Sequence, residues 1–368
     1  MPSLAPYDAM ATHVLELKAA LENVGLSTNL YADEIKKEMR GEAIPFKRFR
    51  LKKPSRSRYM LYQLATGSNM VRHLIDRVEP LIIQYHNITP RSEFVRWDPG
   101  ISSSMAWGQR QLEVLSKKAA LGLAVSEFNA RELVSATFPK VAISPPLIRS
   151  LDLVDSKRAY DVGEFKLLFV GRLAPNKGHE DLIRALAIYN GAFDKKAHLH
   201  LIGQTVVQGY VDYLHDLVVA LGLDSWVHFS HGVSDQELSI EFASAHAYVS
   251  ASKHEGFGFP FVEAMRTLTP IVAVASSAIP DTVGNGAILL VDNDPINMAT
   301  AWSMVLSDNV LRNKLIKNGI SVAHKWNLKD AISANLAALA NVVPIPGIGL
   351  APLFFDAGLE LDRNFGKS

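Results

Sequence analysis

Apolar residues recur along this chain in two rhythms. Val14, Leu17, Leu21 and Val24 return at helical spacing and stop at Gly25, which predicts an amphipathic first helix closed by a glycine C-cap. Short apolar runs bounded by turn residues follow at 81–85, 121–126 and 141–144, and each reads as a strand. In the second half the runs at 166–170, 198–202, 227–230, 247–250, 270–275 and 287–291 alternate with longer helix-compatible stretches. That alternation is the signature of a parallel, doubly wound sheet. The expected fold class is therefore α/β, with two Rossmann-like domains.

Length supports two domains, because single cores stop growing at about 250–300 residues and the chain has 368. The boundary is expected between Pro146 and Glu164, where Pro145-Pro146 gives way to a polar stretch. This gives an N-terminal domain at 1–150, a C-terminal domain at 151–342 and an unplaced Pro- and Gly-rich tail at 343–368. Hydrophobic content of 48% against 20% charged residues indicates a well-buried globular protein. No run reaches the ~18 apolar residues that would span a bilayer, and no secretory signal is visible, so a cytoplasmic location is expected. The absence of Cys excludes disulfides and thiolate zinc sites, and a net charge of +1 argues against a general nucleic-acid binder.

The chemistry is densest between Ser252 and Met265, Ser-Lys-His-Glu-Gly-Phe-Gly-Phe-Pro-Phe-Val-Glu-Ala-Met. Glu255 and Glu263 flank a Gly256-Phe257-Gly258 turn with seven residues between them. The run 247–250 before it is strand-like and 261–267 after it can be helical, so the glycines sit at a strand-to-helix crossover. There a backbone without Cβ can approach a ligand and offer its N–H groups. Both acids point toward the C-terminal edge of a parallel sheet, where ligands of open α/β sheets bind, and two acids there suit polyol recognition. Upstream, Gly171-Arg172-Leu173-Ala174-Pro175-Asn176-Lys177-Gly178 closes another strand and leads into a helix, setting two cations beside the entry of the same domain.

The first string resembles the Glu-x7-Glu signature of the retaining glycosyltransferases of family four, which have the GT-B fold, and fits it at every defined position. The second is similar to that family's Gly-Arg-x5-Lys-Gly pattern, with one fewer residue between the cations than in some members. The resemblance covers nearly the whole chain and is sharp only in its C-terminal half. It implies that Arg172 and Lys177 hold the diphosphate of a nucleotide-sugar and stabilise it as it leaves, which makes a divalent metal and any cofactor unnecessary. Glu255, with Gly256, Phe257 and Gly258, would meet the donor sugar, Glu263 the ribose, and the backbone near Val233, after His231-Gly232, the base. His86, after the run 81–85, would face the donor sugar or orient the acceptor. Asp8, where the family carries a glycine pair, His13 and Ser126 are weaker sugar or acceptor candidates. Only Met1–Ala9 precede the first helix, so the resemblance places Pro2–Pro6 in a loop after a first strand that the chain lacks.

The reaction implied is transfer of a hexose from a nucleoside-diphosphate sugar to a glycan or lipid-linked acceptor, in surface polysaccharide such as lipopolysaccharide, with front-face attack and retention. From Lys47 to Arg58 the chain carries Lys47, Arg48, Arg50, Lys52, Lys53, Arg56 and Arg58 without an acid. Such clusters attract anionic lipid by about 1 kcal/mol per charge, so the run faces the inner membrane surface as a peripheral contact or else is a solvated loop. Two rivals stay open: a nucleotide-sugar epimerase of the same fold, and a non-catalytic glycan- or membrane-binding protein.

Overall fold

A computed structural model describes residues 1–6, 9–147, 159–160 and 163–358; Asp8 and the stretch around residue 150 lie outside it. The chain divides into two compact units, the first Met1–Arg91, Gly100–Arg149 and Asn327–Ser368, the second Ser92–Pro99 and Ser150–Trp326.

The first unit is built on a five-stranded sheet in the order Phe355–Asp356, Lys140–Ile143, Ala119–Ala124, Leu81–Tyr85, Met60–Leu64, parallel except for the first. Strand Leu81–Tyr85 is buried at every position because both faces are covered. Leu81, Ile83 and Tyr85 enter one core with Met60, Leu64 and Leu115, while Ile82 enters another with Leu17, Leu121 and Leu123. The first helix, Ala9–Asn23, is closed as expected: Gly25 has φ +85° and Leu26 N–H donates to Leu21 O at 3.0 Å.

Three expectations need correcting here. Ser3–Leu4, expected in a loop, form a short strand parallel to Glu34–Ile35, and Leu4 is buried with Ala11, Val14 and Ala32. Residues 327–342 belong to the first unit, because Ala331, Leu336 and Leu339 of helix Leu328–Leu339 pack into the core around Leu17 and Ile82. The tail is placed as far as residue 358: Phe355 pairs with Val141, and Val343 and Ile345 are buried. In the other direction Ser92–Pro99 joins the second unit, where the Trp97 ring meets Tyr210 edge-on at 5.1 Å.

The second unit carries a six-stranded, wholly parallel sheet in the order Val227–Ser230, Lys196–Ile202, Glu164–Val170, Ala247–Ser250, Ile271–Val274, Ala287–Leu290. In chain order that is 3-2-1-4-5-6, the doubly wound arrangement. The order reverses between Glu164–Val170 and Ala247–Ser250, so the loops leaving these two strands diverge and open a crevice at their C-terminal ends. Those loops are the two motif segments.

Candidate active site

The first loop runs from Gly171 to Gly178 through a short turn at Pro175–Lys177, and helix His179–Ala192 starts directly behind it. The second runs from Ala251 to Gly258 into helix Phe259–Arg266. They are braced together. Lys253 N–H donates to Asn176 O at 2.9 Å and the Asn176 amide donates to His254 O at 3.2 Å. Gly178 adopts φ +64°, and a Cβ there would lie 2.3 Å from Ala251 O, so neither the conformation nor the space admits a side chain. Gly258 has φ +91°, and its Cβ would lie 2.5 Å from the Phe261 ring.

This bracing brings Lys177 Nζ to 2.5 Å from Glu255 Oε1. Lys177 is buried and Glu255 half-buried. Burial pulls the Lys177 ammonium below its ordinary pKa, Glu255 pushes back, and Arg172 lowers it further. Arg172 itself is exposed. Glu255 N–H donates to Ser277 Oγ at 2.7 Å, and Ser277 sits in the left-handed region at φ +45°. Asn293 joins the strand end to the helix behind Lys177, donating to Ala251 O at 2.8 Å and Asp181 Oδ2 at 3.0 Å. Asn176, Ser277 and Asn293 were not singled out from sequence, since each acts through contacts distant in the chain.

Glu263 lies half-buried in helix Phe259–Arg266; its carbonyl accepts from the Thr267 hydroxyl at 2.9 Å, and its carboxylate accepts no hydrogen bond among the described residues. Burial raises its carboxyl to about 7, with Arg266 opposing and Asp235 reinforcing the rise. Burial raises the Tyr248 hydroxyl well above its ordinary pKa, and Glu255 and Glu263 each add to the rise. Phe257 is different. Its ring is buried against Trp326 at 4.9 Å and its carbonyl accepts from Thr282 at 2.6 Å, so the side chain belongs to the core and only its N–H is left for a ligand. Gly256 is half-buried beside it. Val233, also half-buried, follows Gly232 at φ +64° and precedes a capping box of Ser234 and Glu237 that fixes the next helix start.

The first unit presents neutral imidazoles. His86 Nε2 lies 2.5 Å from Gln63 Oε1, a pairing that assigns the ring proton to Nε2. Its ring meets that of His13 edge-on at 5.2 Å. Burial, with His13 adding to it, keeps the His86 pKa well below the usual histidine range. His13 has no exposed surface, its Nδ1 accepts from Leu147 N–H at 3.1 Å, and burial lowers it to about 4. Its Nε2 is buried with no hydrogen-bond partner among the described residues. Ser126 is buried and caps helix Glu127–Ser135, its Oγ accepting from Asn129 N–H at 3.3 Å.

Of the basic run, Lys47, Arg48, Arg50, Lys52, Lys53 and Arg56 are exposed, and Leu51 among them is 85% exposed. Phe46 is buried beneath them and the Arg77 guanidinium covers Phe49 at 4.5 Å, so the segment is anchored by its aromatic residues. Arg58 is half-buried, pairs with Glu79 at 3.3 Å and donates to the Lys53 carbonyl. Among the described residues no group of three His, Asp or Glu side chains is arranged to hold a metal ion, and no helix is long and apolar enough to cross a membrane.

Residues 154–322 match the family model described as glycosyl transferases group 1. The chain is 32% identical over 167 residues to MMP alpha-(1->4)-mannosyltransferase of Mycolicibacterium hassiacum, covering 44% of this chain and 38% of that one. It is 23% identical over 316 residues to O-antigen chain mannosyltransferase B of Escherichia coli, covering 82% of this chain and 81% of that one. Thus it spans less than two-fifths of the first relative's length and about four-fifths of the second's. Among solved structures, Anabaena Alr3699/HepE in complex with UDP and glucose aligns with a TM-score of 0.67 at 18% identity, over 93% of this chain and 98% of that one.

Proposed function

We propose that this chain, a glycosyltransferase of group 1 by its residues 154–322, moves a hexose from a nucleoside-diphosphate sugar to a glycan or lipid-linked acceptor in surface polysaccharide assembly. The observation that carries the reading is the contact of Lys177 with Glu255 at the point where the strand order reverses. A cation for phosphate and a carboxylate for sugar hydroxyls stand side by side at the one sheet edge where such a ligand fits.

In this reading Arg172 and Lys177 meet the diphosphate, and their fixed charge stabilises the oxygen that takes the bonding electrons when the glycosidic C–O bond breaks. An acceptor hydroxyl attacks the same face of the sugar and passes its proton to a departing phosphate oxygen, so configuration is retained. Glu255 binds sugar hydroxyls, Glu263 the ribose, and the backbone at Val233 the base. His86 acts as a neutral hydrogen-bonding group, since its depressed pKa keeps it uncharged. Arg172 and Lys177 supply the positive charge that a divalent metal provides elsewhere, so turnover is expected to survive excess EDTA. The match to a transferase family supports transfer over epimerisation.

The exposed basic run with Leu51 supports peripheral association with an anionic membrane face, where a lipid-linked acceptor resides. Mannose and glucose nucleotides are the first donors to try, since the named relatives are mannosyltransferases and the aligned structure holds UDP and glucose. The test is incubation with a nucleotide-sugar panel, with and without EDTA, reading nucleoside diphosphate release. Release from none of them would overturn the proposal, and release that stops on chelation would overturn its metal-independent form.

A further inference from the structure

The contact between Lys177 and Glu255 sets a condition on what the site will keep. On the functional reading above, on which this inference rests, the two groups have separate ligands: diphosphate for the ammonium, sugar hydroxyls for the carboxylate. The structure instead gives them to each other at 2.5 Å. Among the described residues Lys177 is the one hydrogen-bond donor to the Glu255 carboxylate, and Glu255 the one acceptor for the Lys177 ammonium. The backbones that carry the pair are fixed. Glu255 is held by its N–H on Ser277 Oγ at 2.7 Å, and the loops bearing the pair are tied at Asn176 by bonds of 2.9 and 3.2 Å.

A nucleoside diphosphate arriving alone brings only anionic and nucleoside groups to this pair. It must draw Lys177 from its partner, it sets like charge beside Glu255, and it leaves that half-buried carboxylate without a donor, which is unfavourable in a desolvated site. A nucleotide-sugar meets both needs at once, because its hydroxyls replace the donor that its phosphates remove. We propose that Glu255 is a specificity-determining residue that distinguishes nucleotide-sugar from bare nucleoside diphosphate, and so expels the product once the sugar has been transferred. The carboxylate reclaims Lys177 as the sugar departs.

The test is calorimetric titration of UDP, GDP, ADP and inorganic diphosphate into the parent, Glu255→Gln, Lys177→Gln and the double variant, with thermal melts confirming that each is folded. The nucleotide that binds the parent should bind Glu255→Gln about 10-fold tighter or more, because Lys177 is then free for the phosphates and no carboxylate is left without its donor, while the corresponding nucleotide-sugar should gain less or lose. In the Lys177→Gln background the gain should vanish, because the two residues act as one unit. Glu255→Asp, which withdraws the charge from Lys177 while keeping it, should show a smaller gain and serves if Glu255→Gln does not fold. Unchanged or weaker diphosphate binding in both Glu255 variants would overturn the inference and leave the donor site standing. An equal gain without Lys177 would also overturn it, since simple repulsion would then suffice. If no nucleotide bound the parent at all, the donor-site reading would fall and this inference with it.

Discussion

The two units place chemistry on opposite kinds of residue. In the second unit the candidate groups are charged and sit on loops whose shape is set by glycine: Arg172, Lys177 and Glu255, with Gly178 and Gly258 in left-handed conformations. In the first unit the corresponding groups are His86 and His13, neutral and held by buried partners such as Gln63 and Leu147. Charge on a glycine-shaped loop is a device for gripping a charged ligand, because the backbone can come close and the field is fixed in advance. Neutral imidazoles among buried partners are a device for shape and hydrogen bonding. On the proposed function, the contrast would divide a donor with its diphosphate from an acceptor whose hydroxyl carries no charge.

The comparison is broken most severely at its charged end. Arg172→Ala or Lys177→Ala should lower kcat/KM by roughly 10²–10³, the usual loss when a group that meets developing charge is removed, with an unchanged melting temperature for exposed Arg172. Steady-state kinetics that match the parent would refute the clamp. Next in size is Gly178→Ala, which forces a Cβ to 2.3 Å from Ala251 O at φ +64°. It should destabilise the second unit by about 2–4 kcal/mol, seen as a shifted denaturant midpoint. An unshifted midpoint would mean that the two loops are not as tightly joined as described.

A third experiment sharpens the contrast through pH. Glu263 has its carboxyl raised to about 7 from an ordinary 4.5, so the folded state holds this proton more tightly than the unfolded state. The associated stability is fully present below pH about 4.5 and is lost as pH rises through about 7. If the ionised form receives the ribose, nucleotide affinity should rise up to about 10-fold from pH 6 to 8, following the ionised fraction. Glu263→Gln should flatten both trends, whereas His86→Asn should leave the pH profile unchanged because His86 is neutral throughout. A parental affinity independent of pH would remove Glu263 from the ribose.

The smallest effect belongs to the surface. The protein should sediment with anionic vesicles at low salt and release at high salt, since the attraction is screened over a Debye length of about 8 Å at physiological ionic strength. Replacing Lys47, Arg48, Arg50, Lys52 and Lys53 by Gln should abolish binding while leaving donor hydrolysis intact. Absence of parental binding at any salt would make the run a solvated loop.

What the sequence disclosed follows the same division. The second unit's strands stand where the apolar runs placed them, because a parallel sheet buried on both faces writes itself as continuous apolar segments. Lys177 and Glu255 were each legible as local patterns of glycine and charge, whereas their contact across 78 positions is tertiary. The first unit hid more. Strand Met60–Leu64 went unseen, and its Gln63 is tolerated in the core by its bond to His86, more than twenty positions away. Phe257 looked like part of a ligand loop, and only the arrival of Trp326 from far along the chain shows that its ring is core. Asn176, Ser277 and Asn293 escaped for the same reason: their partners are set by tertiary contact, which no spacing records.

Helix Leu328–Leu339 follows the whole second unit in the chain, yet its Ala331, Leu336 and Leu339 close the core that holds Leu17, Ile82 and Leu121. Domains ordinarily finish folding in the order in which they leave the ribosome. Here every strand of the parallel sheet of Glu164–Leu290 is synthesised before the helix that covers the sheet of Met60–Leu64. Through that interval of synthesis the core around Ile82 and Leu121 lacks Ala331, Leu336 and Leu339, and a chain cut short near Trp326 would carry the whole parallel sheet but an incomplete first core.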